Sequence, residues 1–256
     1  MTDPSKLADM LVAARRNDTI IKLSEIPGSL EECYAVQDAI IGGMQDRVLG
    51  WKAAFTNGAA MEKMKTHEPA LGPLFASWVF ESGARVSTPE NCARRIESEY
   101  AFTMARDLPV RPDAYSRDAV VDAVASLHPA IEIVHTRVDG GFDIGARALV
   151  ADHCVNFAFI LGDGVTDWQG FDLTGQAVTL SVDGNVAASG SGAEVMGDPV
   201  ESLTWLANKL REQGKALKAG DVVTTGSCTG MHPVPQECSL VADFGPLGQC
   251  TATCAA

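Results

Sequence analysis

Residues 96–104, Ile-Glu-Ser-Glu-Tyr-Ala-Phe-Thr-Met, constrain the fold more than any other stretch of the chain. Successive side chains of a β-strand point to opposite faces. Ile96, Tyr100, Phe102 and Met104 therefore share one face, and Glu97, Glu99, Ala101 and Thr103 share the other. The first face needs a core to pack against. The second carries two carboxylates whose Cα atoms lie about 7 Å apart. Further strands bounded by Gly and Pro are predicted at Gly50-Trp51-Lys52, around 74–80, and over 130–135, 155–161 and 177–182, the last ending in an Asp183-Gly184 turn. Others follow at 222–225, 239–244 and 248–254.

Helical spacing dominates only before residue 50. Leu7, Met10, Leu11 and Ala14 recur at that spacing, and Ser29-Leu30-Glu31-Glu32 is a capping box opening a second helix with Cys33, Ile40, Ile41 and Met44 on its apolar side. Two more helices are predicted, over about 118–127 and from the capping box Asp198-Pro199-Val200-Glu201 to Gly214. The expected organisation is a helical N-terminal portion, 1–49, followed by a β-rich portion, 50–256. Helices and strands do not alternate, so the class is α+β and not a doubly wound sheet.

Charge narrows the partners. Lys+Arg total 20 against 33 Asp+Glu, a net charge of −13, and no basic cluster occurs. Binding phosphates requires such clusters, so neither a nucleic acid nor an anionic membrane is expected. Apolar runs such as 157–161 fall far short of the roughly 20 residues that span a bilayer. The seven cysteines form no Cys-x-x-Cys pair, and the Met-Thr-Asp-Pro start lacks the blocks of a signal peptide. Buried thiols in a reducing cytoplasm are expected. A zinc site at Cys250 and Cys254 is not favoured.

Glu97 and Glu99 fit either a solvated strand face or a pair of carboxylates held together by a hard cation. Glu132, alone between Ile131 and Ile133 in an apolar strand, extends the second reading to an oxygen-ligand site for Mg²⁺ or Mn²⁺. Lys52 lies between Trp51 and Ala53 in an apolar context. It either snorkels to the surface or has a buried partner.

These segments together resemble the fumarylacetoacetate hydrolase superfamily, in its branch of hydratases and decarboxylases acting on 2-oxo-4-pentenoate-type acids. The resemblance is carried by Gly50-Trp51-Lys52, Glu68-Pro69-Ala70-Leu71-Gly72-Pro73-Leu74, Ile96-Glu97-Ser98-Glu99-Tyr100-Ala101-Phe102, and Ala130-Ile131-Glu132-Ile133-Val134 with Arg137. It continues through Ala151-Asp152, Leu161-Gly162, Gly197-Asp198-Pro199 and Gly220-Asp221-Val222-Val223-Thr224-Thr225-Gly226-Ser227. It implies a mixed β-sandwich or β-roll core, a divalent cation held by Glu97, Glu99 and Glu132, Lys52 facing the substrate, and a homo-oligomer. The cation would chelate the carboxylate and 2-oxo oxygens of a 2-oxo acid. Lys52 would stabilise the enolate or move a proton, provided burial lowers its pKa.

One departure stands out. Typical hydratases of the branch have an acid two positions before the glycine, where this chain has Ala70, and often a second acid three residues earlier, where it has His67. The catalytic expectation is therefore Lys52 with His67, and the substrate-binding expectation Asp152, Thr225 and Ser227. The expected activity is metal-dependent hydration of a 2-hydroxy-2,4-dienoate or 2-oxo-4-enoate formed in aromatic catabolism. Alternatives are 2-oxo acid decarboxylation, carbon-carbon bond hydrolysis, or a weakly catalytic accessory protein that binds a 2-oxo acid.

Overall fold

The computed structural model describes residues 3–256. Its helices are α1 (Pro4–Arg16), α2 (Leu30–Gly43), α3 (Gly58–Met64), α4 (Arg117–Val121), α5 (Ala146–Ala151) and α6 (Pro199–Glu212). Its strands are β1 (Val48–Ala54), β2 (Ala70–Phe75), β3 (Val79–Glu81), β4 (Ala84–Ser87), β5 (Arg95–Met104), β6 (Val124–Val134), β7 (Asn156–Leu161), β8 (Ala177–Val182), β9 (Asn185–Ser191), β10 (Val222–Ser227), β11 (His232–Pro233), β12 (Cys238–Asp243) and β13 (Gln249–Ala255). The class is α+β, as expected.

Helix starts follow the capping chemistry. The Ser29 hydroxyl accepts the Glu32 N–H at 3.2 Å, while the Glu32 carboxylate accepts the Gly28 N–H at 2.6 Å. Asp198 accepts the Val200 N–H at 2.8 Å, leaving Glu201 to pair with Arg117 at 3.0 Å. At Asp183-Gly184 both residues take positive φ, 49° and 77°, as a tight two-residue hairpin requires.

The strands form two mixed sheets. The larger runs β2-β1-β10-β5-β6-β7-β3, with β11 added to β5, and the smaller runs β4-β13-β12-β8-β9. β2 and β3 lie at opposite ends of the larger path, yet one 3₁₀ turn, Ala76–Trp78, joins them. The steps from Phe75 to Val79 span at most about 14 Å. A flat sheet would hold its first and seventh strands about 29 Å apart. The sheet therefore curls until its edges meet, which makes the core a roll. The smaller sheet covers it: Tyr100 and Phe244 stack edge to face at 4.9 Å, and Cys250 Sγ–H donates to the Ile160 carbonyl.

Two expectations are corrected here. The segment at 74–80 is not one strand, because the 3₁₀ turn divides it. The helix over 118–127 stops at Val121, and 124–134 is strand. β5 is ten residues long, and its backbone groups need partners along that whole length; Leu127 pairs opposite Phe102 and His128 opposite Ala101. Cross-strand hydrogen bonding overrides the helical spacing.

Ile96, Tyr100, Phe102 and Met104 are all at most 2% exposed. One buried apolar cluster runs from Leu7 and Leu11 through Ile96 and Ile131 to Cys254. Gln37 ties α2 into it by donating to the Leu71 and Val150 carbonyls at 2.9 and 2.7 Å. All seven cysteines are buried and unpaired. Among the described residues no helix is long and apolar enough to cross a membrane.

Candidate functional site

Register builds the site. β5 and β6 run antiparallel with Glu97 directly opposite Glu132, and Glu99 follows two residues on, on the same face. β10 flanks β5 and β1 flanks β10, with Lys52 opposite Thr224. Four adjacent strands thus present Lys52, Thr224, the Glu97/Glu99 pair and Glu132. Like charges directly opposite one another destabilise a strand pair, so this arrangement needs a cation.

Lys52 supplies part of that charge. It is 2% exposed, and its Nζ donates to Glu132 Oε2 at 2.6 Å and to the Cys154 carbonyl at 3.1 Å. Glu132 Oε1 accepts from Asn156 Nδ2 at 2.7 Å. Glu99 Oε2 accepts from the Gly226 N–H at 2.9 Å and from the Thr224 hydroxyl. A bulge makes the Gly226 contact possible, since Thr224 pairs with Ala101 but Ser227 with Glu99. Gly226 sits at φ 107°, and a Cβ there would collide with Thr56. Only glycine serves at that position.

Glu99 Oε1 is buried without a partner, and oxygens of Glu97, Glu99 and Glu132 all lie within 4.8 Å of one another. A buried acceptor without a donor is costly. Three carboxylate oxygens form the donor set that a hard divalent cation takes. The residues fit such an ion.

The electrostatics agree. Loss of hydration raises the Glu97 pKa from 4.5 to about 7; Glu132 adds to the rise, while Lys52 and the Ser227 hydroxyl oppose it. Burial, then Glu132 and Glu97, push Glu99 well above the carboxylate range. Burial alone would lower Lys52, but Glu132, Glu97 and Glu99 outweigh it and raise its pKa. The condition for Lys52 to move a proton, a pKa lowered by burial, is not met: Lys52 is held as an ammonium.

A cavity opens over Lys52, Glu97, Glu99, Gly226 and Ser227. The other expected residues lie elsewhere. His67 is exposed, in a separate groove beside Met64 and Arg147. Asp152 is fully buried outside the cavity, taking a hydrogen bond from Arg15 at 3.2 Å and, on its other oxygen, from Thr136 and the Arg137 N–H. Thr225 donates to the Tyr100 carbonyl at 2.9 Å and is not part of the lining. Thr224 and Gly226, its neighbours, reach Glu99 instead.

Asn156 and the Cys154 carbonyl were not singled out in the sequence. Their segment is unusual: His153, Cys154 and Val155 all take positive φ, 56°, 51° and 59°. Left-handed backbone is rare outside glycine, above all for a β-branched residue. The imidazole of His153 packs against the Phe75–Trp78 ring pair, and burial with Arg15 and Arg137 nearby holds its pKa well below the ordinary value. His128 satisfies both ring nitrogens within the sheet, on Thr103, Ser126 and the Gly162 carbonyl.

Known proteins resemble the chain in sequence and in fold. The chain is similar to the 2-keto-4-pentenoate hydratase of Burkholderia vietnamiensis, 32% identical over 99% of each chain. It is 34% identical to the 2-hydroxyhexa-2,4-dienoate hydratase of Comamonas testosteroni, over 73% of this chain and 71% of the other. The solved 4-oxalocrotonate decarboxylase from Pseudomonas putida, complexed with magnesium and adipate, superposes with a TM-score of 0.88 at 25% identity, covering 97% of this chain and 96% of that one. The family model "Fumarylacetoacetate (FAA) hydrolase C-terminal" matches residues 49–253, a span that takes in Lys52, Glu97, Glu99 and Glu132, and the chain belongs to that family.

Proposed function

We propose that this protein is a divalent-metal-dependent lyase that hydrates a 2-hydroxy-2,4-dienoate, or its 2-oxo-4-enoate form, in aromatic-compound catabolism. The convergence of Glu97, Glu99 and Glu132 around one point, with Lys52 against Glu132, is the observation that carries this reading. In it the three glutamates hold Mg²⁺ or Mn²⁺, which their all-oxygen donor set suits. Bound there, the ion supplies Lewis-acid polarisation of the 2-oxo group. Lys52, kept as an ammonium, offers a positive charge and donor hydrogens to the negative charge that develops as the conjugated system rearranges. Ser227 lines the same cavity and offers a hydroxyl to the substrate carboxylate. Asp152, Thr225 and His67 act at most from outside it. The hydratase names of two relatives support this assignment.

Decarboxylation of a related 2-oxo acid is the second reading, favoured by a specific observation. Where hydratases of the branch have an acid this chain has buried Ala70, and His67 lies outside the cavity, so neither is placed to activate water. The test is incubation of purified protein with 2-hydroxypenta-2,4-dienoate and with 2-oxohex-3-enedioate, in Mg²⁺ or Mn²⁺, with product analysis. Hydration gives 4-hydroxy-2-oxopentanoate from the first, and Glu97→Ala abolishes it. Carbon dioxide from the second compound, with the first untouched, replaces hydration by decarboxylation. The protein is further read as cytoplasmic, in keeping with seven free thiols, and as a homo-oligomer, which light scattering measures.

A further inference from the structure

Two of the seven cysteines face each other. β12 and β13 run antiparallel with Cys238 directly opposite Cys254, and a direct side-chain interaction joins their thiols. Residues opposite one another across antiparallel strands have Cα atoms about 4.5–5.5 Å apart, within the roughly 4.4–6.8 Å that a disulfide spans. Linking them therefore needs no rearrangement of the backbone. Cys250, on the same strand, faces Ala242 instead.

The pair is buried but lies where the sheet meets solvent. Cys238 is 5% exposed and Cys254 1%, while Glu237 and Ser239 on either side of Cys238 are exposed. Cys238 Sγ–H donates to the Pro235 carbonyl at 3.6 Å. Burial of this degree admits a water-sized reagent before a bulky one.

A cation sits beside the thiols without an acid. Arg94 is 9% exposed, donates to the Thr88 hydroxyl at 3.0 Å and the Pro89 carbonyl at 3.2 Å, and its Nε is buried with no partner. Thr88 donates in turn to the carbonyl of Ala255, next to Cys254, and β4 lies along β13 with Val86 beside Cys254. Arg94 joins none of the ion pairs among the described residues. Burial pushes both thiols up, Cys254 to about 12, and at each of them Arg94 opposes the rise. A guanidinium so placed favours the attacking thiolate.

We propose that Cys238 and Cys254 are an oxidation site, a dithiol that hydrogen peroxide closes to a cross-strand disulfide, stabilising the smaller sheet, and that small thiols reopen. Cys238, the more exposed, attacks one peroxide oxygen. The O–O bond breaks, the departing hydroxide takes the thiol proton and leaves as water, and the sulfur becomes a sulfenic acid. Cys254 then attacks that sulfur: the S–S bond forms, the S–O bond breaks, and the hydroxyl leaves with the Cys254 proton as a second water. Two thiols give up two electrons and one peroxide takes them. In a reducing compartment the resting form is the dithiol.

The test is treatment of the folded, Mg²⁺-loaded protein with hydrogen peroxide, then removal of the oxidant, thiol counting in denaturant and peptide mapping. Two of the seven thiols are expected to disappear, with Cys238 and Cys254 in one cross-linked peptide that has lost two hydrogens, and dithiothreitol should restore both. Scanning calorimetry should show the melting temperature of the oxidised form raised by roughly 5–10 °C, since the bond closes the loop between the two strands. Cys254→Ala should abolish the cross-link and leave Cys238 to go on to sulfinic acid, whereas Cys92→Ala should keep it. Mapping of the unaltered protein decides the matter even where a variant fails to fold. Seven intact thiols after treatment, a linkage through any other cysteine, or a melting temperature that does not rise overturns the inference.

Discussion

Lys52 and Glu132 form a pair with almost no contact with water, 2.6 Å apart. Removing one member of such a pair leaves the other as an uncompensated buried charge, at a cost of about 3–5 kcal/mol. Lys52→Met makes this concrete, because Glu132 then faces Glu97 across the strand pair with no cation beside it. Urea unfolding of the variant in EDTA should show a loss of that size, and saturating Mg²⁺ should restore much of it by neutralising the same carboxylates. Turnover should fall at least about 10²-fold even in the metal-loaded protein, since a preorganised positive group at a developing charge is worth that much. Unchanged stability in EDTA would show that Lys52 does not compensate Glu132. At this scale the sequence was informative wherever a residue broke a pattern: Glu132 among apolar neighbours, Lys52 in an apolar strand, Glu97 and Glu99 two apart. It left the sign of the Lys52 shift open, because that shift depends on three carboxylates brought from two other strands.

The turn before β7 does most to position the polar end of the site. Three successive left-handed residues point the Cys154 carbonyl at Lys52 and deliver Asn156 to Glu132, while Arg15 donates to the Asn156 carbonyl at 2.9 Å and holds the segment from behind. Backbone held in such sparsely populated conformations persists only where the surroundings over-determine it. Gly72 of β2 contributes here, since a Cβ at that position would meet the His153 carbonyl at 2.7 Å. Asn156→Ala removes the hydrogen bond to Glu132 and is expected to weaken Mg²⁺ binding about 10- to 100-fold, the usual cost of losing a group that orients a metal ligand. Asn156→Asp should be worse, because it sets another carboxylate against Glu132. Calorimetric metal titrations of both variants check this, and wild-type affinity in Asn156→Ala would remove Asn156 from any positioning role. None of this was legible in the sequence, where Val155 reads as the first residue of an apolar strand and nothing local announces positive φ at His153, Cys154 or Val155. The strand alternation at 96–104 was legible because a period of two is local. The length of β6 was not, because β5 imposes it by pairing, and the same holds for Thr224 over Thr225, which a bulge decides.

Across the whole molecule, the helical portion 1–49 is set apart by its secondary structure and not by a core of its own, since Leu7, Leu11 and Ile40 belong to the same apolar cluster as Ile96 and Val223. Arg15 extends that union to the polar interior through its pair with Asp152. Two groups of buried titratable side chains then act on one cooperative fold with opposite signs. Glu97, raised to about 7, and Glu99 hold protons in the folded chain that the unfolded chain has already lost. Their contribution to stability therefore falls as pH rises from about 4.5 through 7. Burial holds His153 well below its ordinary 6.5, and burial with Arg137, Arg15 and Arg94 nearby brings His135 down to about 3, so both stay neutral in the fold while the unfolded chain takes up protons. Their contribution falls as pH drops below about 6.5. Between about 4.5 and 6.5 the two slopes offset each other, leaving a weakly acidic plateau for the protein in EDTA. A divalent cation needs the carboxylates ionised and binds only the folded arrangement, so it removes the alkaline penalty and leaves the histidine limb in place. Scanning calorimetry from pH 4 to 9 should therefore show the melting temperature in EDTA highest in that plateau and declining toward pH 8. Saturating Mg²⁺ should move the maximum above pH 7, with a gain at pH 8 several degrees larger than at pH 5.5. Glu97→Gln should flatten the alkaline decline in EDTA and shrink the gain from Mg²⁺. Superimposable profiles with and without the ion would mean that the three glutamates do not hold it.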